Sequence, residues 1–230
     1  MLDFGFYNMD CMEGMKQFPD NYFDLAIVDP PYGDVTQGGY MQNKGRINDK
    51  KADMKNYHLG LWGQNKPTKE YFDELFRVSK NSVIWGGNYF VKEIGKDSQC
   101  WLVWNKKRAP GTTYADAELA WTSFNSAVRM FNFRWDGFIQ EDMANKEFRI
   151  HPTQKPVALY KWVLSKYANP GDKILDTHVG SASSLIACHE MHLDYVGFEI
   201  DEVYYEQAKD RLKRETAQMD IYGFLEANND

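Results

Sequence analysis

Asp29, Pro30, Pro31 and Tyr32 follow one another without interruption, and together they hold the parts needed to activate an aromatic amine. Such a nitrogen is a poor nucleophile because its lone pair is delocalised into the ring. Two hydrogen-bond acceptors on its N–H groups draw it toward a tetrahedral shape and free the lone pair for an electrophilic carbon. An Asp carboxylate supplies one acceptor and a backbone carbonyl the other. Two prolines hold φ near −65° and fix that carbonyl in place. A Tyr ring offers a face to a base lifted out of its stack. No covalent step is needed, and none of Cys11, Cys100 and Cys188 follows a proline, which agrees with an amine target rather than a ring carbon. Taken alone, the tetrapeptide also reads as a turn that ends a strand, since Asp and Pro favour turns.

Two further segments carry chemistry. Residues 173–183 read KILDTHVGSAS: an apolar strand ends in Asp176, and a Gly/Ser turn with Gly180 and Ser181 opens a helix. Small residues there let the backbone approach a ligand closely. About twenty residues on, Glu199 ends the strand of YVGFEID, where a carboxylate can hold ribose hydroxyls as it does in dinucleotide folds. Each feature also has a plain reading, as a tight strand-to-helix connection and as a neighbour of a helix N-cap. Residues 151–159, HPTQKPVAL, place Thr153 and Lys155 ahead of a helix with Pro156 in its first turn. Exposed N–H groups and Lys155 there suit a carboxylate, though a capped helix start explains the pattern as well. GxGxxG is absent, which weakens a nicotinamide reading.

These residues need a scaffold. Phe23 to Val28 is a near-continuous apolar run, as in a strand covered on both faces, and Pro30-Pro31 end it. Asp29 therefore stands at the carboxyl end of a core strand, where open α/β sheets place ligands. Further strands are predicted over 2–8, 82–90, 100–106, 173–180 and 195–201. Helices are predicted over 68–80, 156–166, 183–191 and 202–214. Thr68 is the expected N-cap of the first, with Tyr71, Phe72, Leu75, Phe76 and Val78 as its apolar face. Strands alternating with helices predict an α/β fold with a largely parallel sheet. Residues 34–66 show no clean period, and a loop that long is usually functional or mobile. The segment 106–150 reads as a small separate lobe, and the last dozen residues as a frayed tail.

The 230 residues fit one domain with an inserted lobe. Hydrophobic residues at 43% suffice for a core. No apolar run reaches about 18 residues, so no membrane helix is expected. The first residues lack the pattern of a signal peptide, so a cytoplasmic protein is expected. The three cysteines are odd in number, far apart and form no CxxC pair, which argues against a disulfide framework or structural zinc and predicts buried free thiols. The net charge of −6 weighs against a polyanionic partner. However, residues 34–66 hold six Lys/Arg against three Asp/Glu, while residues 189–230 hold eleven Asp/Glu against four Lys/Arg. Local charge decides where a polyanion lands.

Asp10, then DPPY, a variable lobe, HPTQKP, DTHVGSAS and GFEID together resemble the circularly permuted beta group of DNA amino-methyltransferases. The likeness covers residues 1 to about 214. It implies a Rossmann-like methyltransferase fold: a mostly parallel seven-stranded sheet with helices on both faces and a small inserted target-recognition lobe. It divides the chain into a catalytic half (1–105, with a mobile loop 34–66), the recognition lobe (106–150), a cofactor-binding half (151–216) and a tail (217–230). It implies S-adenosylmethionine as cofactor, S-adenosylhomocysteine as product, and no metal. Asp10 and Cys11 are expected to flank the cofactor adenine, and Glu199 to hold the ribose. Gly180 and Ser181, helped by Thr153 and Lys155, are expected to line the methionine part. Asp29, Asp176 and Ile200 complete the cofactor set. Asp29, Pro30, Pro31 and Tyr32 are expected to hold the target amine. Asp at the first of those positions resembles the adenine-N6 type, since cytosine-N4 enzymes more often carry Ser.

The implied partner is double-stranded DNA, with its adenine flipped out. Lys106, Lys107, Arg108, Arg129 and Arg134 are the expected contacts to phosphates or base edges. The loop 34–66, with Tyr40, Tyr57 and Trp62, is expected to act as a clamp on DNA. A homodimer and a place in restriction-modification are implied by the resemblance alone. The family turn usually reads DPFxGSGT, and here Thr177, His178 and Ala182 stand at its Pro, Phe and second Gly. His178 is expected to pack rather than act as a base. Two other readings stay open: a cytosine-N4 methyltransferase, and an inactive DNA-binding relative, which the altered turn favours.

Overall fold

A computed structural model gives the fold and describes residues 1–33, 66–109, 111, 114–136 and 138–227, with side chains up to Ala217. The expected clamp, with Tyr40, Tyr57 and Trp62, lies almost wholly outside the described residues. In chain order the elements are β1 (Gly5–Asn8), α1 (Cys11–Met15), β2 (Phe23–Val28), α2 (Lys69–Val78), β3 (Ser79–Trp85) and α3 (Val91–Ile94). Then come β4 (Leu102–Asn105), β5 (Ala117–Thr122), β6 (Arg129–Asn132), β7 (Trp135–Asp136) and β8 (Ile139–Gln140). The last are α4 (Val157–Tyr167), β9 (Lys173–Asp176), α5 (Ser183–Glu190), β10 (Asp194–Glu199) and α6 (Glu202–Ala227). Among the described residues no helix is long and apolar enough to cross a membrane.

The main sheet runs β1-β10-β9-β2-β3-β5-β4-β6. The first five strands are mutually parallel, and β5 runs against both its neighbours. Alternation along β2 shows why the sheet needs cover on both sides. Leu25 and Ile27 pack with Leu159, Val163 and Ala187 of α4 and α5. Ala26 and Val28 pack with Met15, Phe72 and Leu75 of α1 and α2. A side chain buried this fully contributes roughly 2 kcal/mol. The helices therefore settle on both faces, as the α/β reading expects.

Among the described residues the sheet has eight strands where seven were expected. Its extra edge, β6, comes from the segment expected to form a separate lobe, and it pairs in register with β4 from Leu102 to Asn105. Phe131 explains the docking: its ring stacks on Phe133 at 5.4 Å and lies 5.2 Å from Trp162 of α4. Of the 106–150 segment, then, β5 and β6 belong to the main sheet, and β7 and β8 form a two-stranded hairpin. The C-terminal helix also departs from expectation, running on to Ala227. No Gly or Pro occurs between Glu202 and Tyr222 to stop it. Thr68 occupies the N-cap of α2 but makes no side-chain capping bond.

Candidate active site

The parallel strands β1, β10, β9 and β2 end at one edge of the sheet, and each hands its next residues to a single cavity of about 580 Å³. After β1 come Met9, Asp10 and Cys11; β10 ends in Glu199; β9 leads into residues 177–181; and β2 leads into Asp29 to Tyr32. The turn 151–155 closes one side, and Trp104, Lys106, Arg108 and Glu118 line the wall contributed by β4 and β5. Residues far apart in sequence thus meet where an open α/β sheet binds ligands.

At the β2 end, Asp29 is held by side chains. Its Oδ1 accepts from the Tyr32 hydroxyl at 2.7 Å, and its Oδ2 pairs with the Lys155 ammonium. Lys155 Nζ also lies 3.1 Å from Glu118 Oε2 and 3.3 Å from Tyr32 Oη. Burial opposes the charge of Lys155, but Asp29 and Glu118 outweigh it and raise its pKa above the ordinary value. Burial would raise the pKa of Glu118, yet the charges of Lys155 and Lys106 hold its carboxyl well below the ordinary value. Tyr32 stacks on Tyr89 with ring centroids 5.0 Å apart. Its ring lies so close to Gly86, where φ is +68°, that a Cβ there would stand 2.1 Å from it. Only glycine permits both that approach and that backbone.

At the β10 end, Glu199 is held by backbone. Its two oxygens accept from the N–H of Gly180 and of Asp201, each at 2.9 Å. Burial raises its pKa. Asp10 caps α1, accepting from Met12 N at 2.8 Å and Glu13 N at 3.3 Å. Cys11 is half-buried, and burial together with Asp10 pushes its thiol to about 12, so it stays protonated. Exposed Ile200 borders the cavity beside Glu199. Asp176 does not line the cavity. It sits beneath the turn, accepting from His178 N at 3.0 Å and from the Ser184 hydroxyl. Burial raises its carboxyl to about 7.

The unusual turn residues each have a partner or a strain. The Thr177 hydroxyl is 2.6 Å from that of Tyr71 and 2.9 Å from His178 Nδ1. The His178 ring meets Tyr71 edge-on at 5.4 Å, and burial lowers its pKa to about 4. His178 also lines the cavity. Ala182, wholly buried, adopts the left-handed φ of +62°, which an L side chain resists. Thr153 bonds His151 Nδ1 at 3.0 Å. Burial, then the Lys155 charge, lower His151 to about 3.

The five cations expected to meet DNA divide three ways. Lys106 turns inward onto Glu118, and Arg108 pairs with Asp136 at 3.0 Å; both line the cavity. Lys107 pairs with Glu141 at 2.6 Å, and Arg134 is half-buried near the same carboxylate. Arg129 is exposed on the edge strand β6. Sequence reasoning missed Glu118, whose strand pattern resembles any half-exposed charge. It also missed Arg149, which lines the cavity with its guanidinium 4.6 Å from the Trp135 ring. Arg211 was missed as well. It donates to Ser181 O at 2.7 Å and Ser183 Oγ at 2.9 Å and pairs with Glu147 at 2.8 Å.

The family described as DNA methylase matches residues 95–210, half of the chain. The type II methyltransferase M.HpaI of Haemophilus parainfluenzae is 25% identical over 90% of this chain and 73% of its own length. The solved M1.HpyAVI–SAM complex superposes with a TM-score of 0.55 at 22% identity, covering 90% of this chain and 98% of that one. PvuII DNA methyltransferase, which is cytosine-N4-specific, gives a TM-score of 0.57 at 11% identity over 95% and 93% of the two chains. At these identities the solved structures bear on the fold.

Proposed function

The chain belongs to the DNA methylase family, and from that premise we propose that it methylates the N6 amine of a flipped adenine in double-stranded DNA. The observation that carries the reading is the Asp29-Pro30-Pro31-Tyr32 run, standing at the carboxyl end of β2 inside the cavity. Asp29 accepts from one N–H of the amine and the Pro30 carbonyl accepts from the other. Tyr32, seated on Gly86 and stacked on Tyr89, presents its ring to the base. Lys155 fixes the Asp29 carboxylate, its ammonium shared between Asp29 and Glu118.

The cavity suits S-adenosylmethionine, which a solved neighbour of this chain holds. Each Glu199 oxygen accepts a single backbone N–H and keeps capacity for a ribose hydroxyl. Asp10, Cys11 and Ile200 border the adenine end, and Gly180 and Ser181 the methionine end. Asp10, Asp29 and Glu199 line the cavity with acidic groups that favour a sulfonium charge. When bound, the cofactor supplies an electrophilic methyl group. Asp29 and Pro30 hold the amine lone pair in line with that methyl, and no nucleophile of the protein takes part. Arg108, Arg129 and Arg134 are proposed DNA contacts, with Arg149 added from the cavity wall.

The purified protein is incubated with unmethylated plasmid and S-adenosylmethionine, and the hydrolysed nucleosides are separated by mass. N6-methyldeoxyadenosine is the expected product. N4-methyldeoxycytidine would assign the other amine, and no methylated nucleoside from folded, cofactor-binding protein would assign the inactive relative.

A further inference from the structure

We infer that Glu118, on β5, is a positioning residue for methyl transfer: it holds Lys155, and through Lys155 it sets the Asp29 carboxylate. The inference rests on the proposed role of Asp29. Four charges of alternating sign line the cavity in series: Lys106, Glu118, Lys155 and Asp29. Lys155 leaves a turn rather than a helix or strand, and its four-carbon stem has many rotamers. One carboxylate alone does not fix such an ammonium. Here it is gripped from two sides, by Asp29 just beyond β2 and by Glu118 within β5. The Tyr32 hydroxyl at 3.3 Å and the Trp85 ring at 5.8 Å complete the enclosure. Glu118 is itself placed by the sheet: its backbone pairs with Trp104 of β4, and Lys106 takes its second oxygen. Among the described residues, Glu118 is thus the charged partner of Lys155 that stands within a strand. Without it the ammonium follows Asp29, and the Asp29 carboxylate loses its fixed reference.

The test compares Glu118→Gln, Lys155→Met and the double variant, each in single-turnover transfer at saturating cofactor and DNA. Glu118→Gln should slow transfer about tenfold or more while the affinity for S-adenosylhomocysteine stays within about twofold. The double variant should be no slower than Lys155→Met alone, because Glu118 acts only through Lys155. A Glu118→Gln rate within about twofold of the parent, or losses that multiply in the double variant, overturns the inference. If Glu118→Gln does not fold, Glu118→Asp keeps the charge and undergoes the same cycle with the same criteria. A crystal structure of the cofactor-free variant gives a readout independent of activity. Displacement of the Lys155 ammonium or rotation of Asp29 supports the inference, and coordinates unchanged at both overturn it. An inactive parent protein would fail the proposed function, and that crystal structure would still decide the role of Glu118.

Discussion

The two ends of the cavity are built by different means. The Asp29 end is held by side chains: an ammonium and a second carboxylate from elements distant in sequence meet there, beside a phenol hydroxyl three residues along the chain. The Glu199 end is held by backbone, since both oxygens rest on main-chain N–H groups and the adjoining turn passes through left-handed residues at Gly180 and Ala182. A side-chain lattice can be undone one residue at a time without moving the chain. A backbone cradle answers to conformation, so it tolerates changes of side chain and resists changes of φ.

Substitutions can break or sharpen that contrast. Asp29→Ala should reduce methyl transfer by roughly a thousandfold, as loss of a transition-state hydrogen-bonding group does. Cofactor binding by calorimetry should survive, and a normal transfer rate would remove Asp29 from the mechanism. Glu199→Ala strands two buried N–H groups and should weaken cofactor binding by about thirtyfold, near 2 kcal/mol. Equal cofactor affinity in that variant would show that the two ends are not separate in function.

Acid should affect the turn through His178. Its folded pKa of about 4 lies below the unfolded value of 6.5. Its neutral form is therefore stable above pH 6.5, and that stability is lost as the pH falls toward 4. Asp176 acts in the opposite sense: its raised carboxyl, at about 7, adds stability at low pH that fades as the pH rises through 7. His178→Phe removes only the first contribution. Denaturant unfolding should show the variant gaining about 2 kcal/mol on the parent between pH 8 and pH 5. A gain that does not depend on pH would mean that His178 titrates in the folded protein as it does in the unfolded chain. The smallest effect is expected from Ala182→Gly, which relieves a left-handed alanine and should stabilise by about 0.5–1 kcal/mol. That corresponds to a rise of roughly 1–4 °C in the unfolding midpoint. A fall instead would mean that the buried methyl is worth more than the strain.

The same contrast explains what could be read from the sequence. Asp29 and Glu199 were legible because each ends an apolar strand, and a strand end is a local pattern. The turn before α4 was legible too, but the partner of Lys155 was not. A flexible side chain chose a carboxylate 126 residues away, and nothing local records that choice. Glu118 looked like an ordinary strand charge, and its meaning depends on β5 entering the sheet between β3 and β4. That order also explains why the place of residues 106–150 in the sheet was hard to read. The strand-like pieces of residues 106–150 were visible, but their docking through Phe131 onto Trp162 was a long-range event. The extension of α6 was within reach, since the run from Glu202 to Tyr222 lacks any breaker.

Arg211 bears on how the protein can be engineered. The C-terminal helix looks like a handle, polar and reaching to the end of the described chain, yet its guanidinium is bolted to the Ser181 carbonyl and to Glu147. Glu147 in turn receives the first N–H of α4. Tags, linkers and fusion partners therefore belong beyond this helix. Trimming back through Arg211 would strip a carbonyl and a carboxylate of their shared partner and loosen the Gly180–Ser181 turn from behind.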